Sequence, residues 1–173
     1  AKQVAKSLLQ INAIILQPHQ PFKWAAGWNS PIYCDNRKTL SYPEIRNYIR
    51  QGLSAIVKNH YKGANVIAGV ATAGIPHGAL VAEELGLPFI YVRSKAKEHG
   101  KQNQIEGYFE KGQSVVLVED LISSGKSSLE AAATLKEEGM KVKGIVSIFT
   151  YGFDAATENF KNADCEYVSL CDY

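Results

Sequence analysis

The chain has 173 residues, of which 46% are hydrophobic and 21% charged, and these values predict one globular domain over residues 1–173 rather than a disordered chain. Nineteen basic and seventeen acidic residues give a net charge of +2, which argues against binding of nucleic acid or of a membrane surface by bulk attraction. No apolar run approaches the roughly 20 residues needed to cross a bilayer, and residues 1–16 lack the layout of a signal peptide.

The first third of the chain predicts a helix, a short strand and a second helix. Apolar residues at helical spacing over residues 4–15 predict a first helix that ends at the prolines that follow. Residues 30–35 predict a short strand with a polar end. Ser41 and Glu44 have the spacing of a capping box and Pro43 suits a first turn, so we expect a second helix to begin there and to continue to residue 57.

A regular alternation of strands and helices begins at residue 65. Short runs of apolar residues predict strands that are covered on both faces, and the helices between them predict a parallel sheet. The predicted strands are 65–71, 88–93, 114–118, 142–150 and 166–170, and the predicted helices are 75–85, closed by Gly86, and 127–138, which ends at Gly139. Because ligands bind beyond the carboxyl ends of such strands, we expect the chemistry in the loops after the first four of them.

A long polar loop follows Arg93. Its sequence, SKAKEHGKQNQ, contains Lys97 and His99 among several charged residues. Most charge runs are solvated surface loops, whereas lysine and histidine beside an arginine suit an anionic ligand, and loops of this length are often mobile or functional. We therefore expect this loop to contact an anion and to become ordered when the anion binds.

The segment VVLVEDLISSGKS, residues 115–127, carries the strongest functional signal. An apolar strand ends in two adjacent carboxylates, Glu119 and Asp120, and a turn of small residues leads into a helix. Backbone N–H groups and hydroxyls at the amino end of a helix form a natural phosphate site. We expect the acid pair at a solvent-facing strand end, where it faces ribose hydroxyls or a divalent cation. A Walker A loop is excluded, because Asp120 stands where that motif requires a glycine.

This segment resembles the phosphoribosyl pyrophosphate (PRPP) motif of the type I phosphoribosyltransferases. Two further segments are similar to the bacterial orotate phosphoribosyltransferase family, most of all to its form in Gram-positive bacteria. They are FKWAAGWNSPIYCDNRKTLSYPEIR, residues 22–46, and GVATAGIPHGALVAEELGLPFIYVRSKAKEHG, residues 69–100. The resemblance extends from about residue 4 to residue 151.

The resemblance implies an α/β fold, with a central parallel sheet flanked by helices and a small amino-terminal hood to which residues 1–40 contribute. It implies an enzyme that joins orotate to PRPP with Mg²⁺ and releases orotidine 5′-monophosphate and pyrophosphate, in de novo UMP synthesis. It also implies a homodimer in which a loop of one subunit completes the site of the other. Two alternatives stay open: a purine or xanthine phosphoribosyltransferase, and a PRPP-binding regulator.

By position, the resemblance also assigns site residues. Lys97 is the first choice for stabilising the leaving pyrophosphate, with Arg93 and His99 in support, on the loop that crosses to the neighbouring subunit. Orotate binding is assigned to Ser123, Tyr33 and Cys34. No direct metal ligand is assigned, because the resemblance implies that PRPP supplies most of the ligands of the Mg²⁺ ion. Water molecules connect the ion to the acid pair. PRPP binding is assigned to Thr72, Ala73, Gly74, Glu119, Asp120, Leu121, Ile122, Ser123, Ser124, Gly125, Lys126 and Ser127.

Some positions depart from the pattern that is common in the family. Ala25, Asn29, Ala73 and Ser94 stand where many members carry basic residues, although Ala25 and Ala73 match the Gram-positive form. His77 follows the Gly74 loop along the chain and is interpreted as structural or exposed. Three cysteines are an odd number and match neither a disulfide framework nor a zinc site, so we expect free thiols in a cytoplasmic protein.

Overall fold

The computed structural model describes residues 1–23, 29–93 and 104–173. The amino-terminal part contains helix α1 (Lys2–Gln10), strands β1 (Ile14–Leu16), β2 (Phe22–Lys23), β3 (Asn29–Ser30) and β4 (Ile32–Cys34), and a 3₁₀ helix (Asn36–Ser41). β1 pairs with β4 and β2 pairs with β3, both antiparallel. These two ribbons, β1–β4, are called the hood below.

The elements that follow alternate between helix and strand. They are α2 (Pro43–His60), β5 (Val66–Val70), α3 (Gly74–Leu85), β6 (Phe89–Val92), β7 (Ile105–Glu106), β8 (Ser114–Ile122), α4 (Lys126–Glu137), β9 (Lys141–Thr150), α5 (Asp154–Asn162) and β10 (Tyr167–Asp172). Their six strands form one sheet in the order β10-β9-β8-β5-β6-β7. The β6–β7 pair is antiparallel and the other pairs are parallel. The carboxyl ends of β5, β6, β8 and β9 therefore meet at one edge.

The strands and helices predicted after residue 65 are confirmed, with shifted boundaries. The largest shift is in β8, which continues through the acid pair because Leu121 and Ile122 pair with Phe149 and Thr150 of β9. The sequence pattern did not predict β7 or α5. The predicted parallel sheet is confirmed for β10, β9, β8, β5 and β6, and β7 adds an antiparallel strand at one edge.

The first helix is shorter than predicted. It ends at Gln10 rather than near residue 15, because Asn12 adopts a left-handed backbone with φ of 53°. The Ala13 N–H then donates to the Leu8 carbonyl at 2.8 Å, which closes the helix end. The apolar residues that follow form β1 instead of a further helical turn.

The predicted capping box at the start of α2 is wrong, although the helix itself is confirmed. Ser41 is the last residue of the 3₁₀ helix, and Tyr42 precedes α2 without a side-chain capping bond. Pro43 occupies the first turn, as predicted, where its missing N–H costs nothing.

The hydrophobic core lies on both faces of the sheet. On one face, alternate residues of β8 pack with α2 and α3, and on the other face the remaining ones pack with α4 and α5. The first set is Val116 and Val118, and the second is Val115 and Leu117. This double burial explains why β8 is a continuous apolar run. Among the described helices, none combines the length and the apolar character that crossing a bilayer requires.

Candidate active site at the carboxyl edge of the sheet

The acid pair lies near the carboxyl end of β8, but only one of its members is accessible. Glu119 is buried, at 6% exposure. Its Oε1 accepts a bond from the Asp120 N–H at 2.9 Å, and its Oε2 accepts one from the Ser128 hydroxyl at 3.2 Å. Asp120 is half-buried. The expectation of a fully solvent-facing pair is therefore corrected: Glu119 links β8 to the first turn of α4.

Burial makes the charge on this pair costly. Desolvation, followed by the neighbouring charge of Asp120, raises the pKa of Glu119 well above its ordinary value. Desolvation also raises the pKa of Asp120, and the Glu119 hydrogen bond and the charge of Arg37 oppose that rise. Two adjacent carboxylates in a partly dry site are suited to ligands that donate hydrogen bonds or carry positive charge.

The turn after β8 is shaped by a glycine. Gly125 has φ of +77°, and a β-carbon there would collide with the Phe160 ring. The Ser124 carbonyl accepts a bond from the Asn159 amide at 3.0 Å, which ties the turn to α5. Ser124, Lys126 and Ser127 remain exposed at the amino end of α4. This geometry presents hydroxyls and N–H groups to an anion.

One predicted member of this stretch faces the other way. The Ile122 side chain is 1% exposed and belongs to the core beneath α4 and α5. It can therefore meet a ligand only through its backbone.

The loop after β5 lies against the end of β8. Gly74, the first residue of α3, approaches the Val118 carbonyl so closely that a β-carbon would collide with it. Thr72 is exposed and Ala73 is half-buried, and the Ala71–Thr72 peptide bond is cis. Gly74 thus lies beside the acid pair, and Thr72 and Ala73 directly precede it in the chain.

Arg93 follows β6 and lies at the same edge. The side-chain Nη1 of Arg93 is 3.5 Å from the Glu106 Oε1, and the backbone N–H of Arg93 donates to the Gln104 carbonyl at 2.7 Å. Together with Ala71 and Ser127 it lines a small cavity of about 20 Å³. The fold therefore brings this arginine close to the start of α4.

Four positions discussed from the sequence lie outside the described residues. They are Lys97, His99, Ala25 and Ser94. Of the other two departures, Asn29 is exposed at the start of β3 and Ala73 immediately precedes α3.

A larger cavity, of about 360 Å³, opens between the hood and the end of β8. It brings together Tyr33, Cys34 and Ser123, the three residues assigned to the base, from two separate places in the chain. Among the described residues, its lining is Phe22, Lys23, Tyr33, Cys34, Leu121, Ser123 and Tyr151. The lining is mostly aromatic and aliphatic, with a few polar groups, which is typical of a site for a small flat ligand.

Three lining residues were missed by sequence reasoning. Tyr151 follows β9, so the rule that ligands bind beyond the carboxyl ends of strands pointed to its loop, although not to the residue. Phe22 and Lys23 open the segment that resembles the family, but the resemblance assigned them no role, because only the folding of the hood brings β2 to the cavity. The Phe22 and Tyr33 rings lie 5.5 Å apart and connect β2 to β4.

A buried amide joins the hood to the acid pair. Asn36 is 0% exposed. Its Nδ2 donates to the Asp120 carbonyl at 2.7 Å, and its Oδ1 accepts a bond from the Cys34 thiol at 3.2 Å. The Asn36 carbonyl accepts a bond from the Thr39 hydroxyl at 2.6 Å, which fixes the 3₁₀ helix. One side chain thus connects the wall of the larger cavity to the end of β8.

Burial also determines the state of two further groups. It raises the pKa of the Cys34 thiol to about 12, so this thiol is neutral at pH 7. It lowers the pKa of His77 to about 4, and the residue is 2% exposed, so its role is structural. All three cysteines are free thiols, as predicted. In the described part of the chain, no three histidine, cysteine or acidic side chains are grouped so as to hold a metal ion.

Comparison with known proteins assigns the chain to a family. A phosphoribosyl transferase domain profile matches residues 41–171. The orotate phosphoribosyltransferase of Cytophaga hutchinsonii is 58% identical over 172 residues, which are 99% of this chain and 82% of that protein. The protein of the same name from Bacillus subtilis is 58% identical over 170 residues, 98% of this chain and 79% of that protein. The chain belongs to the orotate phosphoribosyltransferase family.

A solved structure extends this result to the fold. The crystal structure of orotate phosphoribosyltransferase from Aeropyrum pernix is 28% identical, with a TM-score of 0.87 over 98% of this chain and 93% of that one. The resemblance to the Gram-positive form is confirmed by the Bacillus relative. The family assignment therefore covers the hood as well as the sheet.

Replacing Asn36 with leucine should lower the free energy of unfolding by about 1–3 kcal/mol, because it leaves the Asp120 carbonyl and the Cys34 thiol without their buried partner. Urea titration followed by circular dichroism measures the change. Asn159→Leu is the control, since it also removes an amide–carbonyl bond, at 3.0 Å, but at an exposed site where water replaces it. A loss no larger than that of the control would contradict the bridging role.

The acid pair should make stability depend on pH. Because the folded-state pKa of Glu119 is raised, the folded protein binds more protons than the unfolded chain above the ordinary carboxyl pKa. Stability from this group therefore falls as pH rises, by at most about 1.4 kcal/mol per pH unit for one proton. Glu119→Gln removes the titration, so the variant should gain on the wild type as pH rises through the raised pKa of Glu119.

Unfolding free energies measured from pH 4.5 to pH 9 test this expectation. Glu158→Gln, an exposed carboxylate on α5, controls for loss of one negative charge. A difference between Glu119→Gln and wild type that stays constant over that range would show that the buried pair does not titrate as described.

Proposed function

We propose that this chain transfers the phosphoribosyl group of PRPP to orotate, forming orotidine 5′-monophosphate and pyrophosphate in pyrimidine biosynthesis. The observation that carries the proposal is the sharing of Ser123 between the turn after the acid pair and the aromatic cavity under the hood. A sugar phosphate seated on the turn places its reacting carbon next to a flat ring in the cavity. The relatives at 58% identity carry the name of this activity.

In this proposal the ribose phosphate occupies the end of β8. Asp120 accepts hydrogen bonds from the ribose 2′- and 3′-hydroxyls, with Glu119 behind it. The 5′-phosphate lies on residues 123–127, where exposed hydroxyls and N–H groups meet the positive end of the α4 dipole. The pyrophosphate extends toward the backbone of Thr72, Ala73 and Gly74.

The chemistry exchanges one bond at the anomeric carbon for another. The bond from C1 to the pyrophosphate oxygen breaks, a bond from C1 to a ring nitrogen of orotate forms, and the proton of that nitrogen leaves with the pyrophosphate. Charge builds up on both the sugar and the pyrophosphate, so catalysis is mainly electrostatic stabilisation of the leaving group. We assign that role to Lys97, supported by His99 and by Arg93, which must share its guanidinium with Glu106.

The residues present fit Mg²⁺ as an ion held mainly by PRPP. The described part of the chain groups no three potential metal ligands, so it provides no cage of its own. Mg²⁺ is usually bound through one or two carboxylates, water and substrate phosphates. Asp120 would hold it through water, while both Glu119 oxygens already accept bonds. When bound, the ion neutralises charge on the departing pyrophosphate.

We also propose a second copy of this chain as the partner. The loop that carries Lys97 and His99 would then complete the site of the neighbouring subunit. The chemistry uses intermediates of nucleotide synthesis, which fits the expected cytoplasmic location.

Loss of orotate absorbance in the presence of PRPP and Mg²⁺ tests the activity directly. Orotate should be consumed, with one pyrophosphate released per orotate. Adenine, guanine, xanthine and uracil should give no comparable pyrophosphate release, since turnover requires a base that fits the shape and the polar groups of the cavity. Turnover of a purine base alone, or PRPP binding without turnover of any base, would replace this proposal with one of the alternatives.

Asp120→Asn should raise the KM for PRPP at least about tenfold, because a charged acceptor of ribose hydroxyls is worth about 1.5–3 kcal/mol. Asp164→Asn is the matched control: it is exposed and precedes β10, at the opposite edge of the parallel strands. Steady-state kinetics with PRPP varied at saturating orotate measures both variants. Equal KM values for the two would remove Asp120 from the ribose site.

Mixing two variants that are each impaired at low PRPP concentration tests the shared site. Lys97→Ala and Asp120→Asn alter different parts of the site, so in a mixed dimer one of the two sites receives both intact residues if the loop crosses between subunits. Recovered turnover after subunit exchange is the expected result. If the variants exchange subunits, as shown by mass spectrometry, and turnover at low PRPP does not exceed that of the separate variants, the loop serves its own chain.

A further inference from the structure

The cavity under the hood has one basic side chain in its lining among the described residues. That residue is Lys23, on β2. Among the other polar lining groups, Ser123 is a hydroxyl, and burial keeps the Cys34 thiol protonated. The lining therefore combines an aromatic, aliphatic surface with a single positive charge.

The hood fixes the position of Lys23. In the β2–β3 ribbon, Lys23 pairs with Asn29, and Phe22 pairs with Ser30. Ser30 is buried, and its hydroxyl donates to the Ile32 carbonyl at 2.9 Å. The packing of the Phe22 ring on Tyr33 adds a second attachment. The backbone of Lys23 is thus held at the rim of the cavity.

The ammonium group of Lys23 is available to a ligand. The side chain is exposed, and it forms no ion pair with any residue in 1–23, 29–93 or 104–173. Arg37 differs in this respect, because its Nε lies 2.7 Å from the Asp35 carboxylate. Of these two cations near β4, only Lys23 combines a place in the cavity lining with a free charge.

We propose that Lys23 binds the carboxylate of the pyrimidine substrate and thereby selects an acidic pyrimidine over a neutral one. The inference rests on the proposed function, since it assigns a role within that site. A flat ring fits between the aromatic and aliphatic lining residues, Ser123 bonds a polar atom of the ring, and the lysine meets the one anionic substituent. A charge-assisted bond of this kind adds more discrimination than further apolar contact.

Kinetics with a charged and a neutral ligand test the assignment. The variants are Lys23→Gln, Lys23→Arg and, as control, Lys143→Gln, an exposed lysine near the amino end of β9 and thus at the opposite edge of the sheet. The probes are orotate, through its KM at saturating PRPP, and the methyl ester of orotate, through its inhibition constant under the same conditions. Melting curves check that each variant is folded.

Lys23→Gln should raise the KM for orotate about fivefold, which is the upper end of the range for an exposed charge pair. The same change should leave the ester inhibition constant within about twofold, because the ester has no charge to lose. Lys23→Arg should keep the KM within about twofold of wild type, and so should Lys143→Gln. Added salt should weaken orotate binding in the wild type more than in Lys23→Gln.

Two results would overturn the inference while the proposed function stands. One is an active Lys23→Gln variant whose KM for orotate equals that of the wild type. The other is an equal rise in the orotate KM and the ester inhibition constant, which would mean that Lys23 shapes the cavity without pairing with the carboxylate. A wild-type protein that forms no product from orotate, PRPP and Mg²⁺ would instead reject the proposed function, and the role of Lys23 with it.

Discussion

The buried amide of Asn36 is the contact on which the arrangement of this site depends. It donates to the carbonyl of Asp120 and accepts a bond from the Cys34 thiol. The hood and the sheet are separate sets of strands, so their relative position is set by side-chain contacts and not by a shared ladder of backbone bonds. A fully buried polar group keeps its partners because an unmatched donor there is costly. This constraint holds the aromatic cavity next to the end of β8.

The end of β8 combines structural and functional demands. Glu119 uses both carboxylate oxygens to join its own backbone to α4, and its burial beside Asp120 makes ionisation of the pair costly. An apolar residue at this buried position would avoid that cost. The acid pair is therefore suited to a ligand that brings hydroxyl donors or positive charge. In the proposed reaction the ribose and its metal ion provide both.

Charge is distributed unevenly around the site, and its regions differ in being acidic, basic, aromatic or rich in hydrogen-bond donors. The acid pair lies at the centre, the turn before α4 offers N–H and hydroxyl donors, and Arg93 lies at the end of β6. The hood adds an aromatic wall and the ammonium group of Lys23. Substrates with a sugar, phosphates and a carboxylated ring match these regions in turn.

The sequence by itself determined the alternating strands and helices, the acid pair and the turn after it, because a doubly covered strand must be apolar along its length and a phosphate turn needs small residues. It could not show that Asn12 ends α1 early, that β7 pairs antiparallel, or that Glu119 is buried. The resemblance assigned Tyr33 and Ser123 to the same ligand, whereas Phe22, Lys23 and Tyr151 received no role from it. Only tertiary packing of the hood decided that these residues line one cavity, since burial and contacts between distant segments are properties of the folded chain.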